Sequence, residues 1–234
     1  MPRATAIQFI ECGRPGPGFA TAMTRLSGLT SWRRDGCRVG LYDSQTGPCL
    51  AELLADDNLH AVIDILAQNA RTLPLPPAKL VMRLATSTAL AQDAATPFAE
   101  AVLERMGTSG KLADRMAMAL QEAIGNAVLH GNLELETASR GSLEGLTEFA
   151  AEMERRTADP FFSSRSVTIS ARWQGSDALI WVDDCGKGFQ APPPRGLSLS
   201  ASGGNGIAMI RACAQSVTFR RGGRRVRMEF QIGI

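Results

Sequence analysis

Glu122-Ala123-Ile124-Gly125-Asn126-Ala127-Val128-Leu129-His130-Gly131-Asn132 is the stretch from which the rest of the chain can be read. Glu122, Asn126 and His130 follow one another at i, i+4 spacing and share one face of a helix. Around them Ala119, Leu120, Ala123, Ile124, Ala127 and Val128 are apolar, so the helix otherwise has the character of core. An ordinary surface helix fills its polar face with Lys, Arg and Gln; here a carboxylate, an amide and an imidazole occupy it. A second stretch, Ala178-Leu179-Ile180-Trp181-Val182-Asp183-Asp184-Cys185-Gly186-Lys187-Gly188-Phe189, reads as an apolar strand ending in two aspartates and Gly-x-Gly. The pair suggests a nucleotide held between a helix face and a strand end.

Composition sets the outer bounds. The chain has 234 residues, 44% of them apolar and 21% charged, enough for a proper core and unlike a disordered chain. A net charge of +2 gives no global field for nucleic acid. The five cysteines, Cys12, Cys37, Cys49, Cys185 and Cys213, are odd in number and form no C-x-x-C pair, which points to a reducing cytoplasm rather than to disulfides or zinc. Two histidines, His60 and His130, exclude a histidine-rich metal site. No apolar run approaches the roughly 18 residues that span a bilayer, and the N-terminal apolar core is too short for a signal peptide. The expectation is a soluble cytoplasmic protein without membrane contact.

Taken in order, Thr5–Ile10 reads as a strand, Phe19–Leu29 as a helix, Cys37–Tyr42 as a strand and Leu50–Leu73 as a helix with a weak point at Asp56-Asp57-Asn58. Pro74-Leu75-Pro76-Pro77 then stops it and marks a domain boundary. Residues 1–78 thus form a small β-α-β-α unit of unknown role, followed by a domain over 79–234. Asp43 follows a strand as in a phosphorelay receiver, but the unit lacks that fold's length and its paired acids. His60 reads as a helix-surface residue.

Beyond the boundary, Leu80–Leu84 is a strand and Thr96–Met106 a helix with Pro97 in its first turn. Leu112–His130 is the long helix, with Gly131 as its C-terminal cap, and Leu143–Arg156 a further one. Val167–Trp173 and Ala178–Val182 pair across Gly175-Ser176-Asp177. Gln190–Asn205, rich in Pro, Ser and Gly, reads as a mobile loop. Ile207–Ala214 is a short helix, and Ser216–Arg221 with Arg224–Ile234 forms a hairpin about Gly222-Gly223 with Val226, Met228, Phe230 and Ile232 inward.

The amide oxygen of Asn126 is a neutral ligand of the kind Mg²⁺ accepts beside phosphates and water. Glu122, one turn earlier, can act as a general base; the plainer alternatives are an internal bond for Asn126 and an arginine partner for Glu122. Gly125 costs about 1 kcal/mol in a helix relative to alanine, which suggests close approach of another group. Asp184 can accept a hydrogen bond from an exocyclic amine, and Gly186 and Gly188 let a ligand approach the backbone. Gly203-Gly204-Asn205-Gly206 opens a helix, where backbone N–H groups favour phosphate. Neither a Walker A motif nor G-x-G-x-x-G after the first strand is present.

In order and spacing the three motifs resemble the GHKL (Bergerat-fold) ATPases. Glu122–Asn132 is similar to the N-box, Asp184–Phe189 to the first glycine box, and Gly204–Ile210 to the second. Within that superfamily the chain looks most like the anti-sigma-factor serine/threonine kinases, on His130-Gly131-Asn132-Leu133-Glu134, the Arg155-Arg156…Asp159-Pro160-Phe161…Arg165 segment and the closing Gly-Gly hairpin.

The resemblance covers about residues 79–234. It implies a two-layer α/β sandwich with helices on one face of a mixed, mostly antiparallel sheet. It implies Mg-ATP bound through Asn126, adenine read by Asp184, phosphates and backbone contacts at Gly186, Gly188, Gly204, Asn205 and Gly206, and Glu122 as catalytic base.

The expected function is an ATP-binding regulator, a serine/threonine kinase of the anti-sigma-factor type acting on a small antagonist protein in bacterial partner switching. Its partners would be a sigma factor or an antagonist with a phosphorylatable Ser or Thr, with a homodimer left open and no direct nucleic acid. The alternative is a non-catalytic, nucleotide-gated protein-binding module. A histidine-kinase catalytic domain ranks third, because nothing around His60 supplies the phospho-acceptor hairpin. The basic cluster Arg220, Arg221, Arg224, Arg225 and Arg227 reads as a solvated, protected sheet edge, Cys185 as a buried, inert thiol, and His130 as a helix-end residue favoured by the dipole.

Overall fold

The computed structural model describes residues 8–12, 37–68, 78–108, 110–136, 142–189 and 205–232. The expected helix over Phe19–Leu29 lies outside them, as does the expected loop over Gln190–Asn205 up to residue 204. Eight strands form one sheet, in the spatial order β1-β2-β3-β4-β5-β6-β8-β7. The first four, β1 (Gln8–Cys12), β2 (Arg38–Tyr42), β3 (Leu59–Asp64) and β4 (Leu80–Ala85), run parallel. The rest, β5 (Ser166–Gln174), β6 (Asp177–Asp183), β7 (Ser216–Arg220) and β8 (Arg225–Gln231), pair antiparallel.

The change of direction follows from the connections. Parallel neighbours need a crossover, and α1 (Leu50–Leu54) supplies one between β2 and β3. β5 and β6 are instead joined by a tight turn in which Gly175 takes a φ of +56°.

Five further helices of one turn or more bear on the site. They are α2 (Thr86–Ala91), α3 (Ala95–Arg105), α4 (Lys111–Asn126), α5 (Leu143–Ala158) and α6 (Pro160–Ser163), and α7 (Asn205–Cys213) follows later in the chain. α4 packs between α3 and α7, and α1 leans on α3. The core under this layer is formed by Leu80, Met82 and Leu84 of β4 with Val167, Ile169, Ile180, Val182, Val226, Met228 and Phe230. Phe98 and Val102 of α3 and Met116, Ala119, Leu120 and Ala123 of α4 close it from above, all essentially without solvent contact. The result is the expected α/β sandwich on a mixed sheet.

The expected helix over Leu50–Leu73 is replaced. It lasts only to Leu54, and Leu59–Asp64 is strand β3. Asp56 accepts the Asn58 N–H at 3.0 Å, a local turn that ends the helix. Parallel strands buried on both faces read as unbroken apolar runs rather than alternations, and β3 is one: Ala61, Val62 and Ile63 are all buried. Such a run cannot be told from a buried helix segment by periodicity. His60 consequently lies on a strand, where its Nδ1 accepts the Arg38 N–H at 3.3 Å.

The first strand is Gln8–Cys12 rather than Thr5–Ile10. β3 pairs with β4, so the sheet continues without a break across the 78/79 boundary. Asp64 secures that seam. It is buried, its Oδ2 accepts the Ala85 N–H at 3.0 Å, and its Oδ1 accepts the Leu66 N–H at 2.9 Å. Asp43 is spent on its own turn, accepting the Gln45 N–H and the Thr46 hydroxyl.

Candidate nucleotide site

The long helix does not stop at Asn126. It widens over Ala127–Asn132 into a π-helical turn, in which the Leu133 N–H reaches the Val128 carbonyl at 2.8 Å. Such a bulge rotates the residues after it relative to a regular helix and is common at functional sites. Gly131 is thus inside the widened turn and takes no left-handed conformation, so it is not the expected cap. Its role is contact. A Cβ on Gly131 would lie 2.6 Å from Asp184 Cγ, and one on Gly186 would lie 2.2 Å from the Gly131 carbonyl oxygen. Only two glycines let the helix end and the loop after β6 touch.

That contact places Asp184. Alternation along β6 sends the two aspartates to opposite sides of the sheet. Asp183 takes the outer side, paired with Arg225 at 2.7 Å and Arg221 at 3.3 Å. Asp184 lies against the helix end, its Oδ1 accepting the Gly186 N–H at 2.8 Å. Burial pushes its carboxyl up to about 6, against the lowering effect of that hydrogen bond. A carboxylate so held, with capacity left on its second oxygen, fits an amine donor.

Just before the π turn, in the last two turns of α4, Glu122 and Asn126 are half-buried and face Gly206, in the first turn of α7. A Cβ on Gly206 would lie 2.7 Å from Glu122 Oε2 and 3.3 Å from Asn126 Nδ2. The second glycine motif therefore does meet the helix stripe. α7 is held from behind by Arg115 of α4, whose Nη2 donates to the Cys213 carbonyl at 2.8 Å. Asn205 opens α7, and Gly204 lies outside the described residues. The third member of the stripe departs: His130 is exposed and its Nδ1 bonds the Leu135 carbonyl at 2.7 Å. Among the described residues, nothing outside its own stretch of helix lies within 4 Å of the position a Gly125 Cβ would take, so no described neighbour explains it.

Several residues in the site were quoted from the sequence only for the resemblance, with no role given to them. Asn132 is fully buried; its Oδ1 accepts the Cys185 N–H at 2.7 Å and its Nδ2 donates to Thr86 Oγ1 at 2.8 Å. One amide thus ties the glycine loop to the start of α2. Its i, i+6 offset from Asn126 matches no regular helical face, and only the π turn brings it round. Glu134 takes Arg165 on one oxygen and Lys187 on the other, both at 2.8 Å, and its carboxyl is held below the usual range by these partners. Arg156 donates to the Leu133 and Glu134 carbonyls, and Arg165 to that of Asn132. The arginines of the 155–165 segment thus fasten the chain as it leaves the helix.

Two expectations change here. Cys185 is exposed, not buried, because its backbone rather than its side chain is turned to Asn132. In the basic hairpin Arg221, Arg225 and Arg227 have carboxylate partners, so it is more than a solvated edge.

The site's residues could hold a nucleotide. Asp184 offers an acceptor at one end, and Glu122, Asn126 and the glycine-bearing first turn of α7 form a polar cradle at the other. Among the described residues no three His, Cys, Asp or Glu side chains gather as a metal site, and no helix is long and apolar enough to cross a membrane. No curated protein matches the chain. The family model for the histidine kinase-like ATPase domain matches residues 84–230, from the end of β4 to β8. Helix motif, aspartate loop and second glycine turn all fall inside that span. By this match the chain belongs to the histidine kinase-like ATPase domain family, as an ATP-binding regulatory domain.

Proposed function

We propose that the protein is a serine/threonine kinase of the anti-sigma-factor type, acting on a small antagonist protein in a bacterial partner-switching pathway. The observation that supports this reading is the approach of Gly206 to Glu122 and Asn126, which puts a carboxylate beside the turn suited to phosphate. Bound Mg-ATP supplies the transferable phosphoryl group and neutralises its developing charge. Asn126 would hold the magnesium ion together with phosphate oxygens and water. Glu122 would take the proton from the incoming Ser or Thr hydroxyl as its oxygen bonds to the γ-phosphorus and the bond to the leaving ADP oxygen breaks. Asp184 would orient the base through its exocyclic amine. The free thiols suit a cytoplasmic setting.

The test is phosphotransfer from labelled ATP to a candidate antagonist, for wild type and Glu122→Gln. A kinase shows transfer that falls about 10²–10⁴-fold in the variant, with ATP binding kept. Intact ATP binding with no transfer, and regulation unaltered in Glu122→Gln, sinks the kinase and leaves the nucleotide-gated binding module.

A further inference from the structure

The hairpin that closes the chain holds the aspartate loop in place, an arrangement that neither the helix motif nor the glycine boxes require. The turn Arg221-Gly222-Gly223-Arg224 joins β7 to β8, with Arg221, Gly222 and Gly223 at φ values of +55°, +65° and +90°. The loop 184–189 is bonded to it at both ends. The Asp184 N–H donates to the Arg224 carbonyl at 3.0 Å, and the Phe189 N–H to the Gly222 carbonyl at 2.9 Å. Between these bonds the two backbones are in contact: a Cβ on Gly188 would lie 2.0 Å from the Gly222 oxygen, and one on Gly223 would lie 2.1 Å from the Phe189 oxygen. The Phe189 ring packs edge-on against Phe219 of β7, centroids 5.4 Å apart. Asp183, next to Asp184, is paired with Arg221 and Arg225 from either side of the same turn.

We infer that the backbone of the Arg221–Arg224 turn positions the nucleotide site, and that the side-chain positions of Gly223 and Phe219, but not that of Gly222, set nucleotide affinity by fixing the loop that carries Asp184. The inference rests on the reading of 184–189 as the nucleotide loop. Its force comes from a difference between adjacent glycines. Both have left-handed backbones, but among the described residues nothing lies within 4 Å of a Cβ on Gly222, whereas a Cβ on Gly223 meets the Phe189 backbone. Backbone cannot swing aside as a side-chain end can, so only the second substitution displaces the loop.

The experiment is calorimetric titration of the full chain with Mg-ATP, for wild type, Gly223→Ala, Gly222→Asn, Phe219→Leu and Gly175→Ala, with a thermal melt of each. Gly175→Ala strains a positive φ at the far end of the same sheet, in open space, and controls for general destabilisation. Gly223→Ala is expected to raise Kd about tenfold or more and Phe219→Leu about threefold. Gly222→Asn and Gly175→Ala stay within about twofold of wild type, whatever their melting temperatures. Should Gly223→Ala fail to fold, Phe219→Leu carries the test. Wild-type affinity in the folded Gly223 and Phe219 variants overturns the inference, as does equal weakening in Gly222→Asn or Gly175→Ala. Wild type that binds no ATP overturns instead the nucleotide reading beneath it.

Discussion

Gly206 and Glu122 belong to elements more than eighty residues apart, yet a Cβ on the first would lie 2.7 Å from Oε2 of the second. The atom met is the end of a flexible side chain, so a small residue at 206 is accommodated by moving the carboxylate rather than the fold. The pair therefore separates binding from chemistry.

Gly206→Ala is expected to cost less than about 1 kcal/mol of stability. Glu122 is pushed from its place, so phosphotransfer falls at least about tenfold while ATP affinity changes by less than about threefold. Urea melts, ATP titration and single-turnover transfer on one preparation check this. Loss of affinity with transfer unchanged per bound ATP would falsify the assignment.

Asn132→Ala removes a buried amide and leaves the Cys185 N–H without its acceptor and the Thr86 hydroxyl oxygen without its donor. An orphaned buried polar group costs about 1–3 kcal/mol. A loss in that range by urea denaturation is expected, with weaker ATP binding because the Cys185 end of the loop is released. An unchanged denaturation midpoint counts against it.

With Asp184 as the proposed reader of the base, ATP binding should be sensitive to pH. Its carboxyl is raised to about 6 by burial, and protonation turns one of its acceptor oxygens into a donor and removes the charge that strengthens the bond to an amine. Affinity should fall as pH drops through about 6, approaching tenfold per unit below it, and Asp184→Asn should bind weakly with a flat profile. Stability runs the other way. A raised carboxyl pKa penalises the native state above about 6, and the penalty fades as pH falls through 6 toward the ordinary value near 3.8. At pH 7.5 the Asn variant should thus be more stable by on the order of 1–2 kcal/mol, a gain that vanishes near pH 4. Binding that strengthens at pH 5 contradicts the assignment.

A fragment starting at residue 79 would bare the β4 edge that β3 occupies. Exposed parallel edges invite association, so the fragment is expected to melt lower than the whole chain and to aggregate, as seen by scattering. Asp64→Ala, which frees the Ala85 N–H at the same seam, should cost about 1–3 kcal/mol in the whole chain. A monomeric fragment of full stability would show that 79–234 stands alone.

Much of the fold was legible because the elements after residue 79 obey their own periods. β6 and β8 alternate buried and half-exposed residues, and α4 keeps an apolar face. The site was legible through spacing, since one helix turn brings Glu122 level with Asn126 without help from the rest of the chain. β3 was not legible, because a strand buried on both faces has no period to show.

Back in Glu122–Asn132, sequence alone determined that a carboxylate and an amide share a helix face in an apolar setting, because that relation is local. Tertiary structure decided which residues that face meets. It turned Gly131 from a cap into the seat of Asp184 and Asn132 into a tie for the glycine loop. It also brought the final hairpin against Asp184. Each of these is a contact between distant segments, set by how helix and sheet pack, and no local preference along the chain encodes it.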